Sequence, residues 1–500
     1  MKVRKFEAET LAGRFTLAPE LELDGQLHLN GANSVLNLYA KEFFTTRTES
    51  HLDILGFLYE RTKVSLLDCV TTSSGQHGGV GVEGRRYSSR VFPHLVLFGD
   101  EHIASTNSNV TSIHFVVDDA TTIFSDYDAF GGVIDAAPHI EHLARINNPN
   151  ATIDATSRPE IFYYTGKGTI FSVDTNLGVV SANHCPEIQL PSPSGFRLDN
   201  SISVDIEFDD PLTVSESTTR LIKVLRFLEI IVGRPQNLQQ VMLRVDSETD
   251  HPVFLELYWS RPPNRDASHG SREPHPADIL LNAVSHTDQF SAVLRAWLNR
   301  AESWRDARAR FATSFDKQRS YDIDRLVGCA NMFDILPDSA FPPPRPLDPL
   351  IAAARDSCKT ILSKLPLSAE KNSILGALGR LGKNTLKRKI RCRAEPIVAA
   401  AGETFPKLDF VIDQAVNCRN YFVHGGKSKI SYDAHFECVR FFVDTLEFVF
   451  AASDLMEAGW DVSAWLKGSA TLSHPFVQYR FGYQENVRTL HSLLGPAGDA

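Results

Sequence analysis

The stretch from Phe405 to Gly426, FPKLDFVIDQAVNCRNYFVHGG, decides the fold of the C-terminal part of this 500-residue chain. Apolar residues recur in it at steps of three and four, which predicts an amphipathic helix with one buried face. These apolar residues are Leu408, Val411, Ile412, Ala415, Val416, Cys418 and Phe422. Pro406 suits the first turn of a helix, and the pair Gly425–Gly426 is typical of the residues that end one. The pattern therefore predicts a helix that ends at His424.

Three polar residues, Arg419, Asn420 and His424, lie near the end of this predicted helix. Asn420 and His424 are one turn apart and share a face. Arg419 and His424 differ by roughly 140° around the axis and ~7.5 Å along it, so we expect that one helix cannot easily aim both at the same atom. Two such helices related by a symmetry axis would place all three residue types from each chain around one cleft. An arginine that neutralises a phosphate and a histidine that moves protons suit a phosphodiester.

The spacing between Arg419 and His424 has a simpler explanation, in which a surface arginine happens to precede a histidine that caps its own helix. Two observations favour the functional interpretation. The spacings Arg-x4-His and Arg-x5-His occur nowhere else in the 500 residues, and this pair falls at the end of a long, nearly apolar segment.

The run RNYFVHG, Arg419 to Gly425, resembles the signature of the HEPN superfamily of ribonucleases: an arginine, a polar residue, and a histidine four to six positions after the arginine. The flanking helical segments fit the small all-α bundle of that superfamily. Near the N-terminus the runs GRFTLAPELELDGQLHL, VLNLY and LDILGFLYERTKVSLLDC resemble the strand pattern of ApeA-type anti-phage defence proteins, which join a β-rich domain to a HEPN domain.

The resemblance implies metal-independent RNA cleavage, in which the 2′-hydroxyl attacks the adjacent phosphate. His424 is then the general acid or base, Arg419 holds the phosphate, and Asn420 orients the imidazole or binds phosphate. It also implies a role in abortive infection, tRNA as the expected substrate and a phage-derived trigger. The angle between Arg419 and His424 calls for two such helices, so we expect a homodimer or higher homo-oligomer. For Tyr421 we expect packing, with base stacking as the alternative.

A second interpretation remains open, in which a HEPN-like bundle dimerises and binds RNA or a phage component without cutting. His424 discriminates the two, because cleavage needs it and binding does not.

A basic stretch precedes the predicted helix. From Lys371 to Arg393 there are eight lysines and arginines and no acidic residue, in a chain whose net charge is −10. Phosphate charge is the main sequence-independent handle on nucleic acid, so the stretch predicts an RNA-backbone contact, although a solvated helix face has the same composition. The residues predicted to contact RNA are Lys383, Lys387, Arg388, Arg391 and Arg393.

The remaining patterns predict an α+β multidomain chain. Residues 1–260 contain short alternating runs separated by turn residues, which indicate a β-rich sandwich or partly open barrel that we interpret as a sensor or regulatory domain. A polar, proline-rich stretch over 259–275 predicts the first domain boundary. A helical connecting segment over 276–335, an all-α bundle over 348–467 and a C-terminal tail over 468–500 complete the predicted organisation.

Composition restricts the compartment and the chemistry. A hydrophobic content of 43% and a charged content of 22% are typical of globular proteins. Seven scattered cysteines without a C-x-x-C pair fit reduced thiols rather than a disulfide framework or a zinc site. No apolar run approaches the ~20 residues that span a bilayer. We therefore expect a cytoplasmic protein with no membrane segment, no metal and no cofactor.

Overall fold

The computed structural model describes residues 8–18, 21–44, 46, 52–60, 62–77, 86–150, 157–247, 251–263, 272–343, 346–468 and 470–494. The chain divides into two compact units, residues 1–299 and 300–500. Strands dominate the first unit and helices make up the second. This confirms the predicted α+β multidomain class.

The strands all belong to the first unit. They are β1 (Glu9–Ala18), β2 (Leu21–Leu29), β3 (Val35–Ala40), β4 (Leu52–Leu58), β5 (Lys63–His77), β6 (Arg86–Phe92), β7 (Leu95–Gly99), β8 (Val110–Val117), β9 (Phe130–Val133), β10 (Ile161–Tyr164), β11 (Thr169–Thr175), β12 (Gly178–Ser192), β13 (Gly195–Leu212), β14 (Leu238–Val245) and β15 (Val253–Trp259). The helices of this unit are α1 (Ala120–Ile123), α2 (Ala137–Asn147), α3 (Val214–Val232) and α4 (Thr287–Asn299).

A barrel of six strands forms the N-terminal part of this unit. The strands follow the order β5-β4-β1-β2-β3-β6, and a further pairing of β5 with β6 joins the two ends. Alternate residues of β2, such as Leu23 and Leu27, point into the barrel core, where Phe15 is fully buried. Gly56 leaves room for that ring, because a Cβ there would lie 2.6 Å from Phe15. Of the two predicted architectures, this part of the chain adopts the barrel.

The same sheet continues from β5 through β7, β15, β14, β8, β13 and β12 to β11. Helix α4 packs against this part of the unit, because the fully buried Phe290 lies 4.7 Å from Phe171 of β11 and 5.8 Å from Phe227 of α3, measured between ring centroids. The division between the units therefore follows Asn299 and not the proline-rich stretch. The predicted connecting segment over 276–335 is divided between the two units.

The second unit is an all-α bundle, as predicted. Its helices are α5 (Arg305–Phe315), α6 (Ile323–Asp334), α7 (Pro349–Ser363), α8 (Ala369–Arg380), α9 (Leu386–Ala401), α10 (Leu408–His424), α11 (Phe436–Glu457), α12 (Val462–Lys467) and α13 (Pro475–Leu494). Helix α11 is central, since it packs against α5, α6, α9, α10 and α13. Four of its five phenylalanines are buried, Phe442 and Phe448 completely, whereas Phe436 in the first turn is exposed.

The predicted C-terminal tail is instead a helix of this bundle. Helix α13 buries Phe476, Tyr479 and Tyr483, and the Tyr483 hydroxyl donates a hydrogen bond of 3.0 Å to the carbonyl of Pro406. These aromatic residues recur at helical spacing, so their burial against α11 stabilises the segment. Residues 495–500 of the predicted tail lie outside the described residues. Across the described ranges, no helix is both long and apolar enough to cross a membrane.

Candidate functional site

Helix α10 carries the three polar residues that the sequence singled out. Its buried face consists of Leu408, Val411, Ile412, Ala415, Val416 and Cys418. It ends at His424, where Gly425 adopts a φ of 71° that favours glycine. At the other end Lys407, with a φ of 58°, precedes the first helical residue, so Pro406 lies before the helix and not in its first turn. The apolar period and the glycine stop thus predicted this helix well, and the proline did not mark its start.

Arg419, Asn420 and His424 lie together in a single chain. Nη1 of Arg419 is 3.3 Å from Nε2 of His424 and donates to Oδ1 of Asn420 at 3.1 Å. One helix therefore brings the Arg419 guanidinium and the His424 imidazole into direct contact, which the angle between the two residues did not lead us to expect. The long arginine side chain spans the angle that separates the two residues around the helix axis.

A fourth residue, Asn331 of α6, completes the arrangement. Its Oδ1 accepts a hydrogen bond of 3.2 Å from Nη2 of Arg419. Arg419 Nε is enclosed and has no acceptor among the described residues. The guanidinium is thus held from two helices, and its Nε–H donor stays unused. Sequence reasoning missed Asn331, which lies 88 positions from its partner and in no recognisable spacing with it.

The contact between Arg419 and His424 restricts the role that His424 Nε2 can play in a hydrogen bond. A guanidinium has only donors, so a hydrogen bond between the two requires a lone pair on His424 Nε2. His424 is exposed, whereas Arg419 and Asn420 are half-buried. The site therefore places a solvent-accessible imidazole that can accept a proton beside a cation whose orientation is fixed.

The basic stretch separates into cations with internal partners and cations without them. Arg391 forms a bidentate ion pair with Asp413 of α10, and its Nε lies 3.0 Å from Oδ1. In the described part of the chain, Lys383, Lys387 and Arg388 form no ion pair with an acidic side chain. Lys383 is exposed, and the other two are half-buried.

Arg393 differs from the others because it is only 8% exposed. Its Nη1 lies 2.6 Å from Glu457, its Nε donates to Ser453 at 3.1 Å, and its guanidinium lies over the Trp304 ring. The prediction that Arg393 contacts RNA is therefore wrong, since its charge is used inside the bundle.

The described residues include no group of three or more His, Cys, Asp or Glu side chains that could hold a metal ion. Within the same ranges, no hydrogen bond or ion pair joins Arg419, Asn420 or His424 to the basic stretch. The structure thus brings the three α10 residues together with Asn331 and leaves the basic residues as a separate set.

Two protein families match this chain. The family described as ApeA N-terminal domain 1 matches residues 11–297, and the family described as Apea-like HEPN matches residues 329–463. The first match falls within the strand-rich unit, and the second contains Asn331 and all of α10 but ends before α13. No curated protein and no solved structure matches the chain.

Proposed function

Because the chain belongs to the ApeA-like HEPN family, a defence-related family of nuclease type, we propose that it is a metal-independent endoribonuclease. HEPN domains are generally ribonucleases that bind RNA and dimerise. The contact of 3.3 Å between Arg419 Nη1 and His424 Nε2 carries the proposal, because it pairs a phosphate-binding cation with a proton acceptor. We further propose that the enzyme acts in the cytoplasm during abortive infection and that tRNA is its substrate.

The chemistry assigned to His424 is proton transfer. Nε2 takes the proton of the ribose 2′-hydroxyl as that oxygen attacks the adjacent phosphorus. The bond from phosphorus to the 5′ oxygen of the next nucleotide breaks, and the imidazole returns the proton to that oxygen. The products are a 2′,3′-cyclic phosphate and a 5′-hydroxyl.

The role assigned to Arg419 is to bind the phosphate. Negative charge grows on the non-bridging oxygens in the transition state, and a fixed cation stabilises it without having to reorganise. Asn331 and Asn420 supply that fixed orientation, and the enclosed Nε remains a donor without an acceptor among the described residues. An arriving phosphate gives the guanidinium an acceptor in place of the imidazole and leaves His424 free to react.

We also propose that the active form is a homodimer or a higher homo-oligomer. The angular argument from the sequence no longer supports this, because one chain already brings Arg419 to His424. The support comes from exposed apolar side chains, Val423 (43% exposed), which adjoins His424 in α10, and Phe436 (42%) at the start of α11. In addition, α7 and α8 have no buried residue among those described and expose leucine and isoleucine side chains. Exposed apolar surface of this kind favours association.

For the first unit we propose the role of a sensor that responds to a phage-derived trigger. Its support is the separate compactness of residues 1–299 and their match to an ApeA N-terminal domain. If residues 1–299 restrain the nuclease, their deletion should raise toxicity in cells above that of the full chain.

The experiment that tests the nuclease compares wild type with His424→Ala and His435→Ala, each incubated with total RNA and EDTA and resolved on a denaturing gel. His435 is the matched control, since it lies close in sequence but pairs with Glu437. We expect discrete fragments from wild type and His435→Ala and intact RNA with His424→Ala. Intact RNA in every lane, including after addition of phage lysate, would instead support the alternative, a non-catalytic HEPN-like module that binds RNA or protein.

A further inference from the structure

A pocket of about 810 Å³ opens next to the candidate site. Asn420 and Tyr421 of α10 line it, together with the segment from Gly425 to Ile430 and the last turns of α13. Pockets that bind small molecules typically enclose about 300–1,000 Å³. The space is therefore large enough for a ligand, and it shares Asn420 with the cluster around Arg419.

Aromatic rings form two walls of this pocket. Phe410 and His491 lie parallel, with ring centroids 4.5 Å apart, and Tyr421 lies 5.4 Å from the buried Tyr432. Tyr421 thus packs against another aromatic ring, as we expected, and also faces the pocket. Planar rings of this kind are the surfaces on which unstacked nucleobases rest.

Two carboxamides, Gln414 and Asn417, project into the pocket from the same face of α10 as Tyr421. In the described part of the chain neither has a hydrogen-bond partner. A carboxamide offers a donor and an acceptor side by side, as does the edge of a nucleobase. Lys427 and Lys429 are exposed at the pocket and supply positive charge for a phosphate backbone.

We propose that this pocket binds the base of one unpaired nucleotide, next to the phosphate that Arg419 holds. The inference rests on the proposed function and adds the substrate class, which is single-stranded or loop RNA. A paired base has its edge engaged and both faces stacked, so it must leave the helix before the pocket can take it. Duplex RNA meets only the lysines and the other exposed cations.

The test measures binding in the His424→Ala background, where the proposed reaction is blocked. The probe is a fluorescein-labelled single-stranded oligoribonucleotide of about ten nucleotides, within the usual range of site sizes, and its affinity is measured by fluorescence anisotropy. Gln414→Ala combined with Asn417→Ala should weaken binding about tenfold and leave the affinity for the same sequence in a duplex unchanged. The matched control removes two exposed amides of α13 that do not line the pocket, Gln484 and Asn486, and should change neither affinity.

A second probe identifies the base itself. A series of oligoribonucleotides carries one abasic ribose at successive positions. At one position the missing base should weaken binding to the parent protein about tenfold relative to the intact probe. The double variant should bind that abasic probe and the intact probe equally well. Equal affinity of the double variant and its control for single-stranded RNA would overturn the proposal. A changed sedimentation coefficient of the double variant, with unchanged affinity for RNA, would also overturn the proposal, because the pocket would then hold a second protein chain.

The outcomes also separate this inference from the proposed nuclease. If wild type never cleaves RNA but the double variant still loses affinity for unpaired RNA, the nuclease assignment fails and the pocket assignment stands. If wild type cleaves and the double variant binds normally, only the pocket assignment fails.

Discussion

Replacing Asn331 by alanine should slow RNA cleavage about ten- to thirtyfold and leave the fold intact. In our proposal the Asn331 side chain does not contact the substrate. It orients Arg419 by accepting a hydrogen bond of 3.2 Å from Nη2. Hydrogen bonds to charged groups contribute about 1.5–3 kcal/mol. Asn331 is half-buried and this hydrogen bond is long, so the lower end of that energy range applies. An increase of about 1.4 kcal/mol in the activation free energy lowers the rate about tenfold.

The assay is steady-state cleavage of a labelled oligoribonucleotide, with kcat and KM determined separately. If Asn331 orients Arg419 for the transition state, kcat falls while KM changes little. The decisive comparison adds Asn331→Ala to an Arg419→Ala variant. A residue that works only through Arg419 should then cause no further loss, since the two effects are coupled.

Two results would refute this reasoning. Equal fold-losses from Asn331→Ala in the wild-type and Arg419→Ala backgrounds would mean that Asn331 acts independently of the arginine. A large fall in the midpoint of thermal unfolding, matching the loss of rate, would assign Asn331 to the packing of α6 against α10 and not to the site.

Three further predictions concern charge. Lys387→Ala combined with Arg388→Ala should weaken RNA binding and lower the slope of log affinity against log salt by about 1–2, measured by anisotropy at several salt concentrations, whereas an unchanged slope would place both residues away from RNA. Arg393→Ala should instead lower the free energy of unfolding by about 2–3 kcal/mol in urea, because it removes a buried guanidinium with its hydrogen bonds to Ser453 and Glu457, and stability equal to wild type would contradict the structure. Burial, reinforced by the nearby Glu447 charge, raises the pKa of Asp444 to about 7. The folded protein therefore binds one more proton than the unfolded chain between about pH 4 and pH 7, and its stability falls as pH rises through that window. Asp444→Asn removes this loss, which is about 4 kcal/mol for about three pH units at about 1.4 kcal/mol each, and should stabilise the protein by up to that amount at pH 8 but little at pH 4, as urea unfolding at the two pH values would show.

The features that the sequence predicted correctly are those that neighbouring residues determine. The apolar period of α10 needs only the order of its own residues, and Gly425 ends the helix because of its own backbone freedom. Strand patterns in residues 1–260 gave a β-rich region for the same reason, but the pairing of β5 with β6 that closes the barrel is not encoded in either strand alone.

The features that the sequence could not supply depend on partners far along the chain. Asn331 reaches Arg419 only because α6 packs against α10, and the periodicity of each helix shows which face is buried but not what covers it. The predicted boundary near residue 260 failed similarly, because proline-rich composition marks a loop and cannot show that Phe290 of α4 packs back onto the sheet.

Arg393 and Lys387 show the same limit within one helix. Both belong to α9 and to one stretch without acidic residues, but six positions place them roughly 120° apart around the axis. That rotation turns Arg393 toward Glu457 of α11, 64 residues away, and leaves Lys387 half-exposed and without an acidic partner in the described chain. A count of positive residues in the sequence does not distinguish Arg393 from Lys387. The number of cations that remain for a phosphate backbone is therefore a property of the packed bundle, and a substitution on α9 must be interpreted by the face it occupies before its effect on RNA binding is assigned to charge.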